Sequence, residues 1–150
     1  MPRRLIYAAN WKMNHGPEAA RRFAERFLEL TRPANGRELW FFPPIVSLSV
    51  VAGAFRERPD VLVGAQNAHW EAKGAFTGEI SLAMAVESGA RSVLIGHSER
   101  RHLFGETDDQ VARKTAAATA ARLLQPSAQD RATARCGEQR RKSCGSKWRP

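Results

Sequence analysis

The stretch VLIGHSERR, residues 93–101, begins as an apolar run and changes, right after a glycine, into side chains that can do chemistry. His97 can donate or accept a proton, and Glu99 lies two residues further on among consecutive charges. A second change of this kind occurs near the N-terminus, where Asn10 and Lys12 follow an apolar run. Polar and charged groups placed directly after apolar runs are candidates for a ligand site.

Four short apolar runs alternate with segments of helical pattern, which predicts βα units around a parallel sheet. The runs are RLIYAAN (4–10), ELWFF (38–42), VLVGAQ (61–66) and SVLIGH (92–97). We predict helices over 17–31, over 79–88 and from Thr107 onward, where Thr107 and Gln110 have capping-box spacing. Four βα units therefore fit before residue 124.

The candidate residues all follow predicted strands, and Gln66 and Asn67 follow the third run in the same way. Ligands of α/β folds bind outside the carboxyl ends of the strands. Each of these residues taken alone could be an ordinary loop residue. Because polar residues follow three of the predicted strands, we expect them to converge on one site at the carboxyl ends of the strands if the sheet curls.

The overall composition is that of a globular protein. The 150 residues are 43% hydrophobic and 26% charged, which fits a single domain and excludes wholesale disorder. No apolar run approaches the ~18 residues of a membrane span, and the N-terminus lacks an apolar signal segment. We therefore expect a cytoplasmic protein with no membrane partner. Cys136 and Cys144 fit neither a zinc motif nor a disulfide framework and are interpreted as incidental free thiols.

The net charge of +9 is distributed unevenly. Residues 1–122 carry 17 Lys and Arg against 13 Asp and Glu, whereas residues 123–150 carry 7 against 2. After Leu124 there is no Leu, Ile, Val, Phe or Met, so this segment cannot supply a buried parallel strand. We therefore divide the chain into residues 1–124 and a basic tail over 125–150, which we expect to be disordered or frame-shifted.

Four motifs, in order and at matching spacing, closely resemble the triosephosphate isomerase family. They are AANWKMN (8–14), GAFTGEIS (74–81), IGHSERR (95–101) and FGETDDQV (104–111). The resemblance implies the α/β fold of the (β/α)8 barrel class, of which this chain contains the first four βα units. It also implies interconversion of dihydroxyacetone phosphate and glyceraldehyde 3-phosphate through an enediolate, in glycolysis and gluconeogenesis, without metal or organic cofactor.

The resemblance also implies roles for individual residues. Asn10 and Lys12 match a substrate-binding pair, in which the lysine ammonium faces the phosphate and the enediolate oxyanion. His97 matches the electrophile of this family, itself the usual example of a neutral imidazole that polarises a carbonyl. Glu99 matches the acid that holds the lysine, and Ser98 stands where a helix N-cap is expected. Lys12 and His97 are the predicted catalytic residues.

The motif GAFTGEIS implies a homodimer, because the family's corresponding loop enters the neighbouring subunit. Thr77 matches the residue that reaches the asparagine and lysine of the partner's site. Glu79 and Arg100 match an ion pair made between subunits. We expect these three residues to be dimer contacts.

The resemblance does not extend into the tail. A barrel of this class has about 250 residues and eight strands, and SAQDRATARCGEQRR does not match the family's fifth strand. The family's glutamate base, lid loop and later phosphate loops have no match here, so we assign no general base and expect the chain as written to be inactive. Whether the tail is a frameshift, a misassembly or genuine stays open.

The alternative to an isomerase is a non-catalytic half-barrel. Its basic tail would bind nucleic acid weakly and without specificity, because it has one aromatic residue and no recognised nucleic-acid motif. We expect a solvated tail rather than a specific nucleic-acid partner.

Overall fold

The computed structural model describes residues 5–123, which form parallel strands alternating with helices. The strands are β1 (Leu5–Asn10), β2 (Arg37–Phe42), β3 (Val61–Ala65) and β4 (Ser92–Val93). The helices are α1 (Pro17–Leu30), α2 (Ile45–Ala54), α3 (Leu82–Glu87), α4 (Ser98–Leu103) and α5 (Asp108–Ala120).

The strands lie in the order β1–β2–β3–β4 and every neighbouring pair is parallel. Asn10 is paired with Phe42 at the carboxyl ends of β1 and β2. The predicted α/β fold with four βα units is confirmed. This order brings all the strand exits to one edge of the sheet, where the candidate residues stand.

One face of the sheet is covered by helices and carries most of the core. α1 begins at Pro17, as predicted, because proline at a first-turn position loses no helical hydrogen bond. Phe23 and Phe27, one helical turn apart, both contact the ring of Phe41 on β2. Full burial of a phenylalanine side chain contributes roughly 1.5–3 kcal/mol. Phe23 and Phe27 are partly buried against the core and contribute part of this, so the aromatic cluster helps to hold α1 to the sheet.

The opposite face of the sheet carries a smaller cluster of Trp40, Phe42 and Leu62, each less than a tenth exposed. Gly64 makes room for it: a Cβ there would lie 2.4 Å from the ring of Phe42. A larger residue in place of Gly64 would displace that ring, so the glycine is required by packing.

The largest differences from the predicted element boundaries are at β4 and α3. β4 ends at Val93 rather than at residue 97, and the chain turns through a left-handed Gly96 before it reaches His97. α3 begins at Leu82 rather than at residue 79, because the Ser81 hydroxyl accepts a hydrogen bond from the N–H of Met84 and caps the helix there. Both strand and helix are therefore shorter than their sequence patterns.

The capping box at the start of α5 forms as predicted. The Thr107 hydroxyl accepts from the N–H of Gln110 at 3.2 Å, and the Gln110 side chain accepts from the N–H of Thr107 at 3.0 Å. The basic tail, with Cys136 and Cys144, lies outside the described residues, as does the domain boundary placed at residue 124. In the described part of the chain, no helix combines the length and apolar composition needed to cross a bilayer.

Candidate active site

The loop after β1 holds Lys12 in a strained backbone conformation. Its φ is +54°, in the left-handed region, which costs a residue other than glycine on the order of 1–3 kcal/mol. The N–H of Lys12 donates to Oδ1 of Asn10 at 2.9 Å. The carbonyl of Lys12 accepts from Nε2 of Gln66, also at 2.9 Å. These two bonds stabilise the conformation from both sides of the residue.

Gln66 joins three strand ends through its side-chain amide. Besides the Lys12 carbonyl, Nε2 donates to the carbonyl of Phe42 at 2.8 Å. The N–H of Trp11 donates to that same Phe42 carbonyl at 3.0 Å. The loop that carries Lys12 is therefore fixed to the ends of β2 and β3.

The Lys12 ammonium forms an ion pair with Glu99, the second residue of α4. The two side chains come from points 87 residues apart and keep 45% and 39% of their surface exposed. The structure thus brings together the exits of β1 and β4, as the strand-end argument requires. The ammonium is held by a carboxylate and remains accessible to an anionic ligand.

His97 lies directly before α4, and its ring is oriented by the helix backbone. Nδ1 accepts a hydrogen bond from the N–H of Glu99 at 3.3 Å. A ring nitrogen that accepts carries no proton, so the neutral imidazole has its proton on Nε2. No described residue accepts from Nε2. The ring is therefore set up to donate one hydrogen bond to a ligand.

The expectation that Ser98 caps α4 is wrong. The N-cap is His97, and Ser98 is the first residue of the helix. Gly96, with φ of +66°, turns the chain so that His97 keeps an extended ψ of 141° and helical geometry begins at the next residue. A ring nitrogen then takes the accepting position that a Ser, Thr, Asp or Asn oxygen fills in a typical N-cap.

A second polar cluster lies beside the first and is buried. The Glu106 carboxylate accepts from Nζ of Lys114 and from Nε of Arg100, the latter at 3.3 Å. Lys114 also donates to Oδ1 of Asn67 at 2.8 Å. Burial raises the pKa of Glu106, but the bonds and charges of Lys114 and Arg100 outweigh it and hold that pKa below its usual value. Glu106 is therefore a structural carboxylate that is ionised at neutral pH.

Two of the three predicted dimer contacts, Glu79 and Arg100, lie beside this buried cluster. Glu79 and Arg100 line the same small recess beside it, and Oε2 of Glu79 is 3.5 Å from Nδ2 of Asn67. Thr77 is exposed in the loop between β3 and α3, and no described residue of the same chain bonds to its side chain. The structure therefore leaves Thr77 accessible to a second molecule.

Sequence reasoning placed Gln66 and Asn67 at a strand end without assigning their contacts, and it missed the Glu106–Lys114 pair altogether. Glu106 lies in a polar loop motif and Lys114 in a helix of mixed polarity. Nothing local indicates that either side chain is buried. In the described range 5–123, no three His, Cys, Asp or Glu residues are grouped so that they could hold a metal ion.

A parallel βα sheet in sequential strand order, with a lysine, a histidine and a carboxylate at the carboxyl ends of its strands, is typical of part of a βα barrel with its site at the usual face. A sequence model described as triosephosphate isomerase matches residues 5–126. The chain belongs to the triosephosphate isomerase family.

Individual relatives agree with this assignment. A triosephosphate isomerase of Aquifex aeolicus (strain VF5) is 47% identical over 115 residues, which are 77% of this chain and 46% of the relative. One of Synechococcus sp. (strain JA-2-3B'a(2-13)) is 47% identical over 121 residues, 77% and 48% of the two chains. An L-erythrulose-1-phosphate isomerase of Mycolicibacterium smegmatis is 43% identical over 116 residues, 76% and 44%. The chain spans about half the length of the curated relatives it matches.

Proposed function

We propose that this chain supplies the substrate-binding cation, Lys12, and the hydrogen-bond donor, His97, of an isomerase site. The site interconverts dihydroxyacetone phosphate and glyceraldehyde 3-phosphate, a step of glycolysis and gluconeogenesis. The observation that carries the proposal is the arrangement around Glu99. Its carboxylate holds the Lys12 ammonium, and its backbone N–H orients the His97 ring. One residue therefore positions both the cation and the hydrogen-bond donor that the reaction needs.

Each group has a defined task in this proposal. The Lys12 ammonium, with Asn10 beside it, binds the phosphate and stabilises the negative charge that develops on the enediolate oxygen. The Nε2–H of His97 donates to the substrate carbonyl oxygen and passes protons between the two substrate oxygens. The Glu99 carboxylate is already paired with Lys12. In this proposal the carboxylate that takes the proton from carbon lies outside residues 5–123, as the resemblance to the family implies.

The proposal includes a homodimer in which Thr77, Glu79 and Arg100 contact the partner subunit. It is supported by the exposure of the loop around Thr77 and by the recess that Glu79 and Arg100 share. We also propose that the protein acts in the cytoplasm and that its reaction uses neither a metal ion nor an organic cofactor. The alternative of a nucleic-acid-binding tail concerns residues outside the described range, and no structural observation favours it.

A hybrid protein tests the proposal directly. Residues 1–123 of this chain are joined to the remaining part of the Aquifex aeolicus relative, beginning where its similarity to this chain ends. Isomerisation of dihydroxyacetone phosphate is followed in a coupled assay on protein purified from a host that lacks its own isomerase. L-Erythrulose 1-phosphate is assayed in parallel, because one relative is named for that substrate.

The matched controls are Lys12→Ala and His97→Gln in the same hybrid. We expect turnover of the triose phosphate in the hybrid, no detectable turnover in Lys12→Ala, and a kcat lowered by orders of magnitude with a smaller change in KM in His97→Gln. A folded hybrid that is inactive, or one that keeps its activity in Lys12→Ala, contradicts the proposal. Activity on the tetrulose phosphate alone contradicts the assigned substrate.

A further inference from the structure

The peptide group between Gly96 and His97 is fixed by a side chain from the next helix turn. Gly96 has φ of +66°, and glycine is the residue whose backbone changes conformation most readily. The orientation of the His97 side chain depends on this peptide, because it sets the direction in which the His97 Cα–Cβ bond leaves the backbone. A residue that holds the Gly96 carbonyl therefore holds His97.

Arg101 makes that contact. Its Nε donates to the carbonyl oxygen of Gly96 at 3.1 Å, and its Nη1 donates to Oδ1 of Asp108 at 2.5 Å. Asp108 is the first residue of α5, which begins with the capping box of Thr107 and Gln110. One guanidinium thus joins the turn before His97 to the start of another helix. Its two donors, Nε and Nη1, lie at separate positions, and the single ammonium group of a lysine cannot reach both acceptors at once.

The packing around Gly96 supports the same contact. A Cβ built at Gly96 would lie 3.2 Å from both methyl groups of Val111 and 3.3 Å from Nε of Arg101. Val111 and Asp108 both lie in the first turn of α5. The turn at Gly96 is therefore enclosed by α5 on one side and by the Arg101 side chain on another.

We propose that Arg101 is a positioning residue for His97: through Gly96 and Asp108 it fixes the peptide that sets the imidazole in its Nδ1-accepting orientation. Its importance for catalysis rests on the proposed role of His97. The orientation itself is a property of the protein without substrate. It can be measured whether or not the isomerase proposal is correct.

The variant Arg101→Met removes both donors and keeps most of the side-chain length. Arg113→Met is the matched control, because Arg113 also pairs with an aspartate, Asp109, at 2.9 Å, but within α5 alone. The ¹⁵N-labelled 150-residue chain is examined by long-range ¹H–¹⁵N correlation of the imidazole rings, and the His97 signals are assigned with His97→Gln. Hydrogen exchange of the Glu99 amide is measured on the same samples.

We expect the parent and Arg113→Met to show a single Nε2–H tautomer for His97. Arg101→Met should show a mixture of tautomers and about tenfold faster exchange of the Glu99 amide, the factor that corresponds to loss of one hydrogen bond. Arg101→Lys, which can make one of the two contacts, should not restore the parent spectrum. These shifts support the proposal even if the hybrid enzyme described above is inactive.

A second variant covers the case in which Arg101→Met does not fold. Asp108→Asn keeps the bond to Gly96 and weakens the anchor on α5, so Glu99 amide exchange should lie between the rates expected of the parent and of Arg101→Met. Parent-like His97 signals and parent-like Glu99 exchange in either folded variant would overturn the proposal. An Arg113→Met spectrum that changes as much as that of Arg101→Met would overturn it as well.

Discussion

The side-chain amide of Gln66 donates to the carbonyl oxygen of Lys12 at 2.9 Å, across 54 residues of sequence. The acceptor belongs to Lys12, a residue other than glycine whose backbone is in the left-handed region. A contact made by the end of β3 therefore stabilises a strained conformation at the end of β1. Strain of this kind persists only where surrounding bonds hold it.

Replacing Gln66 by methionine should lower the free energy of unfolding by about 1–2 kcal/mol, because the Lys12 carbonyl loses its side-chain donor and the Phe42 carbonyl keeps only the N–H of Trp11. Urea denaturation of the two proteins measures the difference. Gln66→Glu is the matched control, since it keeps the shape of the side chain but places a carboxylate oxygen against the carbonyl oxygens of Lys12 and Phe42, both of which are acceptors. At neutral pH it should be at least as destabilising as Gln66→Met. A Gln66→Glu protein as stable as the parent would show that the contact contributes nothing.

Replacing Lys114 by methionine should destabilise the protein by up to about 3–5 kcal/mol, because the buried Glu106 carboxylate then keeps only Arg100 as a cationic partner among the described residues. Both side chains are almost completely buried, at 6% and 2% exposed. The double variant Lys114→Met with Glu106→Gln should recover part of the loss, since the buried carboxylate that Arg100 alone compensates is gone. Denaturation of the three proteins in parallel gives the comparison. A double variant no more stable than Lys114→Met would contradict the charge explanation.

Stability should fall as the pH is lowered through the titration range of the carboxylates. The Arg58 guanidinium holds the pKa of Asp60 below its usual 3.8, and the pKa of Glu106 is held below 4.5 by Lys114 and Arg100 despite its burial. Because these folded-state values are lowered, the unfolded chain takes up protons first. The contribution is complete above the unfolded pKa values and is lost as pH falls through the folded ones.

The measurement is the urea midpoint from about pH 5 down to about pH 3. Asp60→Asn and the double variant at Glu106 and Lys114 each lack one of the two titrating groups. Each should therefore lose less stability over this range than the parent does. A parent midpoint that is constant down to pH 3, or one that rises, would contradict the direction assigned to both carboxyls.

The 150-residue chain by itself should not isomerise triose phosphates above the uncatalysed background. General-base catalysis contributes roughly 10²–10⁴ to such a reaction, and the carboxylate beside Lys12 and His97 is already bonded to the lysine. The coupled assay on the purified chain, beside its own Lys12→Ala variant, measures this. Turnover that disappears in the variant would show that a base is present after all.

Local patterns in the sequence were sufficient to predict the secondary-structure elements and their order along the chain. Alternating apolar runs and helical periods predicted four parallel βα units, and Thr107 with Gln110 predicted the start of α5. The motifs around Lys12 and His97 indicated the family, and the family model agrees over residues 5–126. These features depend on residues within a few positions of one another, so the sequence itself determines them.

Only the tertiary structure decided which distant side chains meet. Gln66 reaches Lys12 over 54 residues, Lys114 reaches Asn67 over 47, and Lys12 reaches Glu99 over 87. It also decided that His97 rather than Ser98 caps α4, because the left-handed turn at Gly96 is held by packing against α5. A hydrogen bond or ion pair forms where the fold brings donor and acceptor within about 3 Å. Distances that short between remote residues are set by the curl and register of the whole sheet, which no local pattern specifies.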